Sequence, residues 1–216
     1  MKGLFLTFEG TEGCGKSTQI KLLVDRLREH GYPDVLALRE PGGTSIGEEI
    51  RHTLQHSHAN AAMTPEAELL LLNASRAQLV REVIRPALHE GRMVLCDRFY
   101  DSTVAYQGHG RGLDLSLVRE VIRFAIGDLK PDLTFYLRVR PEVGAERLRS
   151  RKSARPDVRD RMEEADAAFF ERVRMGYEAI ARDDPHRVKT VDANADVNTV
   201  SGEIWSLVRP RLPIAS

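Results

Sequence analysis

Residues 10–17 read GTEGCGKS, and they constrain the chain more than any other stretch. They fit G-x-x-x-x-G-K-[ST], follow the apolar run Leu4, Phe5, Leu6, Thr7, Phe8, and precede the helical spacing Ile20, Leu22, Leu23, Leu27. A strand that enters a glycine loop and then a helix wraps successive backbone N–H groups around an anion, at the positive end of that helix. Glycine admits the positive-φ turns that such a loop needs. The pattern predicts a nucleoside triphosphate site made by Gly10, Thr11, Glu12, Gly13, Cys14, Gly15, Lys16, Ser17 and Thr18. Lys16 is expected at the β and γ phosphates, and the Ser17 hydroxyl on the magnesium ion that bridges them.

Strand-like and helical stretches alternate down the rest of the chain. The run 35–38 reads as a buried strand that delivers Arg39, Glu40 and Pro41, and Ser45 reads as the cap of a helix carrying Ile46, Ile50 and Leu54. After a polar loop at 56–63, a long helix is expected from Pro65 through Ile84, exposing Arg76 near its middle. A third strand, 93–96, ends in Asp97 and Arg98, where an α/β sheet presents its ligand-binding edge. A helix is expected over 102–107, a loop over 108–112, a helix over 115–126, a strand over 133–137 and a helix from Pro141. The apolar period then stops, and Arg147, Arg149, Arg151, Lys152, Arg155, Arg159 and Arg161 crowd a candidate lid at 147–161. A helix at about 160–182, a strand at 188–191 and a helix around 204–208 close the chain. Five strands alternating with helices predict an α/β fold, a five-stranded parallel sheet with helices on both faces.

At 216 residues the chain fits one domain, 1–216, with one sizeable core. Lysine plus arginine number 32, as do aspartate plus glutamate, so no global field draws the chain to nucleic acid or an anionic membrane. The two cysteines, Cys14 and Cys96, have no metal-type spacing and suit a reducing compartment. With no leader-like opening and no bilayer-length apolar run, cytoplasm is the expected location.

A phosphate loop alone does not separate a kinase from a switch or a transport ATPase, so the other cationic sites decide. Arg98 has the geometry to clamp a second phosphate bidentately, opposite the one held by Lys16, which favours a small-molecule kinase. The alternative for Asp97 and Arg98 is a structural ion pair at a strand end. A mobile arginine from the lid is expected to offset charge on the phosphoryl group in flight, whereas the alternative for the cationic run is a solvated helix face. Asp97 is the best carboxylate for the metal.

The motifs together resemble those of bacterial thymidylate kinase, which phosphorylates dTMP with ATP. The resemblance rests on FEGTEGCGKSTQ at 8–19, REPGGT at 39–44, SRAQLV at 75–80, DRFYDSTVAYQGHGRG at 97–112, PDLTFYL at 131–137 and DRMEE at 160–164, and spans nearly the whole chain. It implies a homodimer of the P-loop fold, with ATP and Mg2+. It implies Glu12 on the 3′-hydroxyl of the deoxyribose, Arg98 on the dTMP phosphate, Arg76 and Thr103 on the thymine edge, Tyr106 beside the sugar and Gln107 near the base. Because the phosphate loop holds no arginine of its own, the resemblance implies that the lid supplies the catalytic one, Arg151 first and Arg149 next. Leu72 departs from the pattern: the family usually has a thymine-stacking aromatic one helical turn before Arg76, and an aliphatic side chain gives a weaker contact.

Other classes stay in view. A deoxynucleoside kinase would use Glu40 as the base that a neutral 5′-hydroxyl needs. A non-catalytic nucleotide switch would have no use for the Arg98 site. His52 and His56 lie four apart without a third ligand and read as surface residues. Cys14, beside a helix start, invites a lowered pKa, although a merely tolerated small residue is the simpler account. Phe169, Tyr177 and Trp205 read as core.

Overall fold

The computed structural model describes residues 3–154 and 165–212, without the side chains of residues 58, 59 and 151–154. Five parallel strands form one sheet in the order β2-β3-β1-β4-β5: β1 (Phe5–Glu9), β2 (Val35–Arg39), β3 (Met93–Asp97), β4 (Leu133–Arg138) and β5 (Val188–Asp192). Because β1 lies between β3 and β4, the chain leaves it at the point where the strand order reverses, which in open α/β sheets is where the ligand crevice forms.

Nine α-helices are described: α1 (Lys16–Glu29), α2 (Ser45–Arg51), α3 (Pro65–Leu79), α4 (Arg85–His89), α5 (Tyr100–Thr103), α6 (Leu115–Ile126), α7 (Pro141–Ala154), α8 (Ala167–Asp183) and α9 (Val197–Val208). Side chains alternate across the sheet, so both faces are apolar. Leu6, Phe8, Leu95 and Phe135 pack under α1 and α9, while Phe5, Val94 and Cys96 pack under α3 and α6. A third cluster joins Tyr106, Tyr136, Phe169, Val173 and Tyr177 beneath α8.

The structure departs from the sequence expectation at several element ends. Thr44, not Ser45, caps α2, its Oγ1 accepting from Gly47 N at 2.9 Å. The helix expected through Ile84 ends as α-helix at Leu79 and widens into a π-helical turn, Val80–Ile84, before α4. Pro86 at the start of α4 lacks an N–H, and a wider turn ahead of it accommodates the lost bond. The loop expected at 108–112 is largely helical, since a π-helical segment Val104–Gly110 continues α5. Gly110 lets α8 press against this segment: a Cβ there would lie 2.7 Å from the Phe169 ring. The loss of apolar period after Arg147 does not end the helix that Pro141 opens. α7 runs on to Ala154, so Arg147 and Arg149, two positions apart, leave it in different directions, and 155–161 of the expected lid lie outside the described residues. α8 starts at Ala167 because the Asp166 carboxylate caps it, accepting from Phe169 N at 2.7 Å; the stretch 160–164 lies outside the described residues. Among the described residues, no helix is long and apolar enough to cross a membrane.

Candidate active site

The loop after β1 turns through Gly10 (φ 136°), Gly13 (φ 74°) and Gly15 (φ 95°). Gly13 is doubly constrained, since a Cβ there would also lie 2.4 Å from the Gly144 carbonyl oxygen on α7. α2, α3, α6, α8 and α9 each carry a Thr or Asp side-chain cap, whereas α1 begins at Gly15 with none. The first turn of α1 therefore turns bare N–H groups toward the loop, the arrangement that an anion satisfies. Lys16 is buried and folded back, donating from Nζ to the carbonyl oxygens of Gly10 (3.1 Å) and Thr11 (3.2 Å).

β1 and β3 pair with Phe8 opposite Asp97, which sets the phosphate loop beside the end of β3. Ser17 Oγ consequently donates to Asp97 Oδ2 at 2.9 Å, across 80 positions of chain. These two groups are hard oxygen donors, and they fit a magnesium ion whose other ligands come from phosphates and water. Among the described residues, no group of three His, Cys, Asp or Glu side chains is placed to hold a metal by itself.

Arg98 follows with φ 70°, the one non-glycine residue in the left-handed region among the described residues. Such a backbone conformation costs about 1 kcal/mol or more and persists only where the surroundings enforce it. Arg98 N donates to Phe8 O at 2.9 Å, and Phe99 N to the buried Glu9 Oε1 at 2.7 Å. The turn directs the guanidinium toward the phosphate loop. Its Nη1 donates to Ser102 Oγ (3.1 Å) and Tyr177 OH (3.3 Å), and its Nη2 to Tyr106 OH (3.2 Å). Nη2 is also ion-paired with Glu12, so the sequence alternative of an Arg98–Asp97 pair is not the partnership formed. Glu9 completes the ring through Ser102 and Tyr177 OH. Burial, reinforced by Asp101, pushes its carboxyl up to about 7.

Two cavities meet at this turn. The larger, about 720 Å³, runs along residues 12–19 past Asp97 to Arg147 and Ala193. The smaller, about 60 Å³, is lined by Leu72, Arg76, Thr103, Tyr106 and Gln107, and shares Glu12, Glu40, Gln55 and Arg98 with the first. The residues proposed from the sequence for a triphosphate and for a nucleoside thus line adjoining spaces.

Arg76 departs from expectation: it is 2 % exposed rather than on an open helix face. Its Nε donates to Glu40 Oε2 at 2.7 Å, its Nη1 to Asn73 Oδ1 at 3.0 Å and its Nη2 to Phe99 O at 3.2 Å. The counter-charge comes from the end of β2, a long-range partner that helical spacing does not reveal. Burial pushes the Glu40 carboxyl up to about 7 although Arg76 pulls the other way. Cys14 also departs from the lowered pKa considered for it: burial pushes its thiol up, outweighing the pull of Lys16. The His52 and His56 rings lie 6.3 Å apart. Phe169 and Tyr177 are core, whereas Trp205 is partly buried at its margin, under the Arg26 guanidinium. Among the cations of α7, Arg147 reaches the cleft, donating to Ala193 O at 3.0 Å. Arg149 is exposed, and the side chain of Arg151 lies outside the described residues.

Glu9 and Glu68 were not singled out from the sequence, and Tyr177 was read there only as core. Glu9 carried one signal, an acidic residue inside an otherwise apolar strand and one step before the glycine loop. Glu68 carried none, and the helical spacing that marked Tyr177 as core says nothing of its hydroxyl meeting Arg98, 79 positions away.

A phosphate loop at the switch point of a parallel sheet, with a guanidinium facing it across a shared cleft, defines a P-loop kinase of the nucleoside monophosphate kinase fold. Residues 8–204 match the family described as Thymidylate kinase. The chain is 46 % identical over 213 residues to the thymidylate kinase of a Synechococcus species, covering 99 % of this chain and 98 % of that one. It is 50 % identical over 204 residues to the thymidylate kinase of Thermomicrobium roseum, covering 94 % and 93 %. The crystal structure of thymidylate kinase from Ehrlichia chaffeensis matches with a TM-score of 0.78 at 34 % identity, covering 97 % and 99 %. The chain belongs to the thymidylate kinase family.

Proposed function

We propose that this chain transfers the γ-phosphoryl group of ATP to dTMP, giving dTDP and ADP. The observation that carries the reading is the position of Arg98, whose guanidinium is held against Glu12 of the phosphate loop itself. A monophosphate bound there and a triphosphate in the loop lie on two sides of one short segment. The acceptor oxygen is already anionic at neutral pH, so no base has to remove a proton, and catalysis reduces to alignment and offset of repulsion.

Lys16 exchanges its two loop carbonyls for phosphate oxygens, and Arg98 holds the dTMP phosphate. Glu12 faces the deoxyribose, Thr103 and Gln107 meet the base edge with Arg76 behind them, Tyr106 packs beside the sugar, and Leu72 covers the ring. Magnesium, held by Ser17 and Asp97 together with the triphosphate, draws negative charge from the phosphate oxygens. The segment 147–161 serves as the lid of one kinase domain, with Arg151, and next Arg149, offsetting charge on the group being transferred.

The chain is read as a cytoplasmic homodimer. Phe124 on α6 is 88 % exposed, and Leu117 on α6 and Leu70 on α3 are likewise exposed on helices that pack together, which supports a second copy covering this face.

The deoxynucleoside kinase alternative gains no support from these relatives, and its base, Glu40, is committed to a buried ion pair with Arg76. An ATP-consumption assay with dTMP and with thymidine tests the choice. Turnover is expected with dTMP; turnover with thymidine alone overturns the reading.

A further inference from the structure

Gln107 is nearly fully buried, and its amide has two unlike sides. Nε2 donates to Glu68 Oε1 at 2.7 Å, whereas Oε1 has no partner among the described residues although it is buried in a residue that lines the small cavity. A rotated amide would set its oxygen against the Glu68 carboxylate oxygen, which accepts and cannot donate while ionised. The orientation of Gln107 therefore follows from the charge of Glu68. That charge is fixed by Arg111, whose Nε and Nη2 reach Glu68 Oε1 (3.2 Å) and Oε2 (3.1 Å) in a two-pronged contact. Arg111 is held in turn by the face of Phe169, 4.7 Å from its guanidinium carbon to the ring centroid, and by its own N–H on Tyr106 O.

We propose that Arg111 and Glu68 are positioning residues that lock the Gln107 carbonyl toward the nucleobase, making it an obligatory acceptor for a ring N–H. This rests on the dTMP reading above. A keto pyrimidine such as thymine carries a hydrogen at N3 and matches that oxygen; cytosine presents a bare N3 lone pair and meets it acceptor to acceptor. The chain selects among pyrimidine monophosphates by leaving a buried oxygen unsatisfied for the wrong one, a stronger discriminator than a difference in shape. Glu68 touches no substrate atom in this scheme. It acts by denying the amide its other orientation.

The test compares kcat/KM for dTMP, dCMP and N3-methyl-dTMP in the wild type and in Glu68→Gln, Arg111→Lys and Arg111→Gln, with a urea unfolding midpoint for each. A neutral partner at position 68 can donate as well as accept, so Glu68→Gln frees the amide to rotate. Its preference for dTMP over dCMP and over N3-methyl-dTMP is expected to fall about tenfold or more, mainly through KM for dTMP. Because Glu68 is buried, whereas Arg111 is partly exposed, Arg111 provides a second arm less tied to the fold: Arg111→Lys keeps the charge and retains more of the preference than Arg111→Gln. Folded variants whose two preference ratios stay within about twofold of wild type overturn the inference alone. Absence of dTMP turnover in the wild type overturns the proposed function, and this inference with it.

Discussion

Arg98 and Glu12 form an ion pair that ties the turn after β3 to the phosphate loop after β1. The guanidinium proposed to take the dTMP phosphate is thus already paired, with a carboxylate of the phosphate loop. On that proposal a phosphate dianion competes for the same donors with two charges against one, and acceptor binding is expected to release Glu12. Ser102, Tyr106 and Tyr177 hold the guanidinium independently of Glu12.

Arg98→Lys keeps a cation but loses the planar fork that these four partners hold. The variant is expected to lose about 100-fold or more in kcat/KM for dTMP while KM for ATP stays within about threefold. Steady-state kinetics with each substrate varied in turn decides the matter, and an equal loss toward ATP removes Arg98 from the acceptor site.

The Arg76–Glu40 pair is buried on both sides. Arg76→Met strands the Glu40 carboxylate and is expected to cost about 3–5 kcal/mol in urea unfolding. Adding Glu40→Gln restores part of that loss, because an uncharged pair leaves no buried charge without a partner. A double variant no more stable than Arg76→Met contradicts this.

Arg151→Ala is expected to lower kcat by about 1,000-fold with KM for dTMP nearly unchanged, as suits a group that acts on the phosphoryl in transit. A matching loss in dTMP affinity reassigns Arg151 to binding. The same experiment on Arg147, which already contacts Ala193 O, separates an arginine of the cleft wall from a lid arginine.

Glu9 has a carboxyl raised from 4.5 to about 7, mainly by burial. The folded chain keeps a proton there that the unfolded chain releases, so this contribution to stability is present below about pH 4.5 and is lost as pH rises through about 7. Glu9→Gln removes that loss. The difference in Tm, variant minus wild type, is expected to climb between about pH 5 and about pH 8; a flat difference means that Glu9 stays ionised throughout.

Much of the site was legible because its chemistry is local. The loop at 10–17 specifies its own turn, its lysine and the helix that follows, and Asp97 and Arg98 announce themselves as polar residues ending an apolar strand. The alternation of five strand-like runs with helical stretches told of a parallel sheet covered on both faces, and the helix at Leu115–Ile126 was bounded correctly by its own spacing. Less legible were the places where a distant group sets local conformation. Pro86 and Gly110 altered helices that periodicity alone drew as regular or broken, and α7 continued where the loss of apolar period suggested an end.

By itself the sequence determined a phosphate loop on a parallel sheet and a second cation at the neighbouring strand end, since backbone conformation there depends on residues a few positions apart. Tertiary structure alone decided who neutralises whom: Arg98 with Glu12 rather than Asp97, Arg76 buried with Glu40, Gln107 oriented by Glu68. Such partnerships join residues 36 to 86 positions apart only once β1, β2 and β3 lie side by side. Charge pairing acts over a few ångströms of space and leaves no period along the chain.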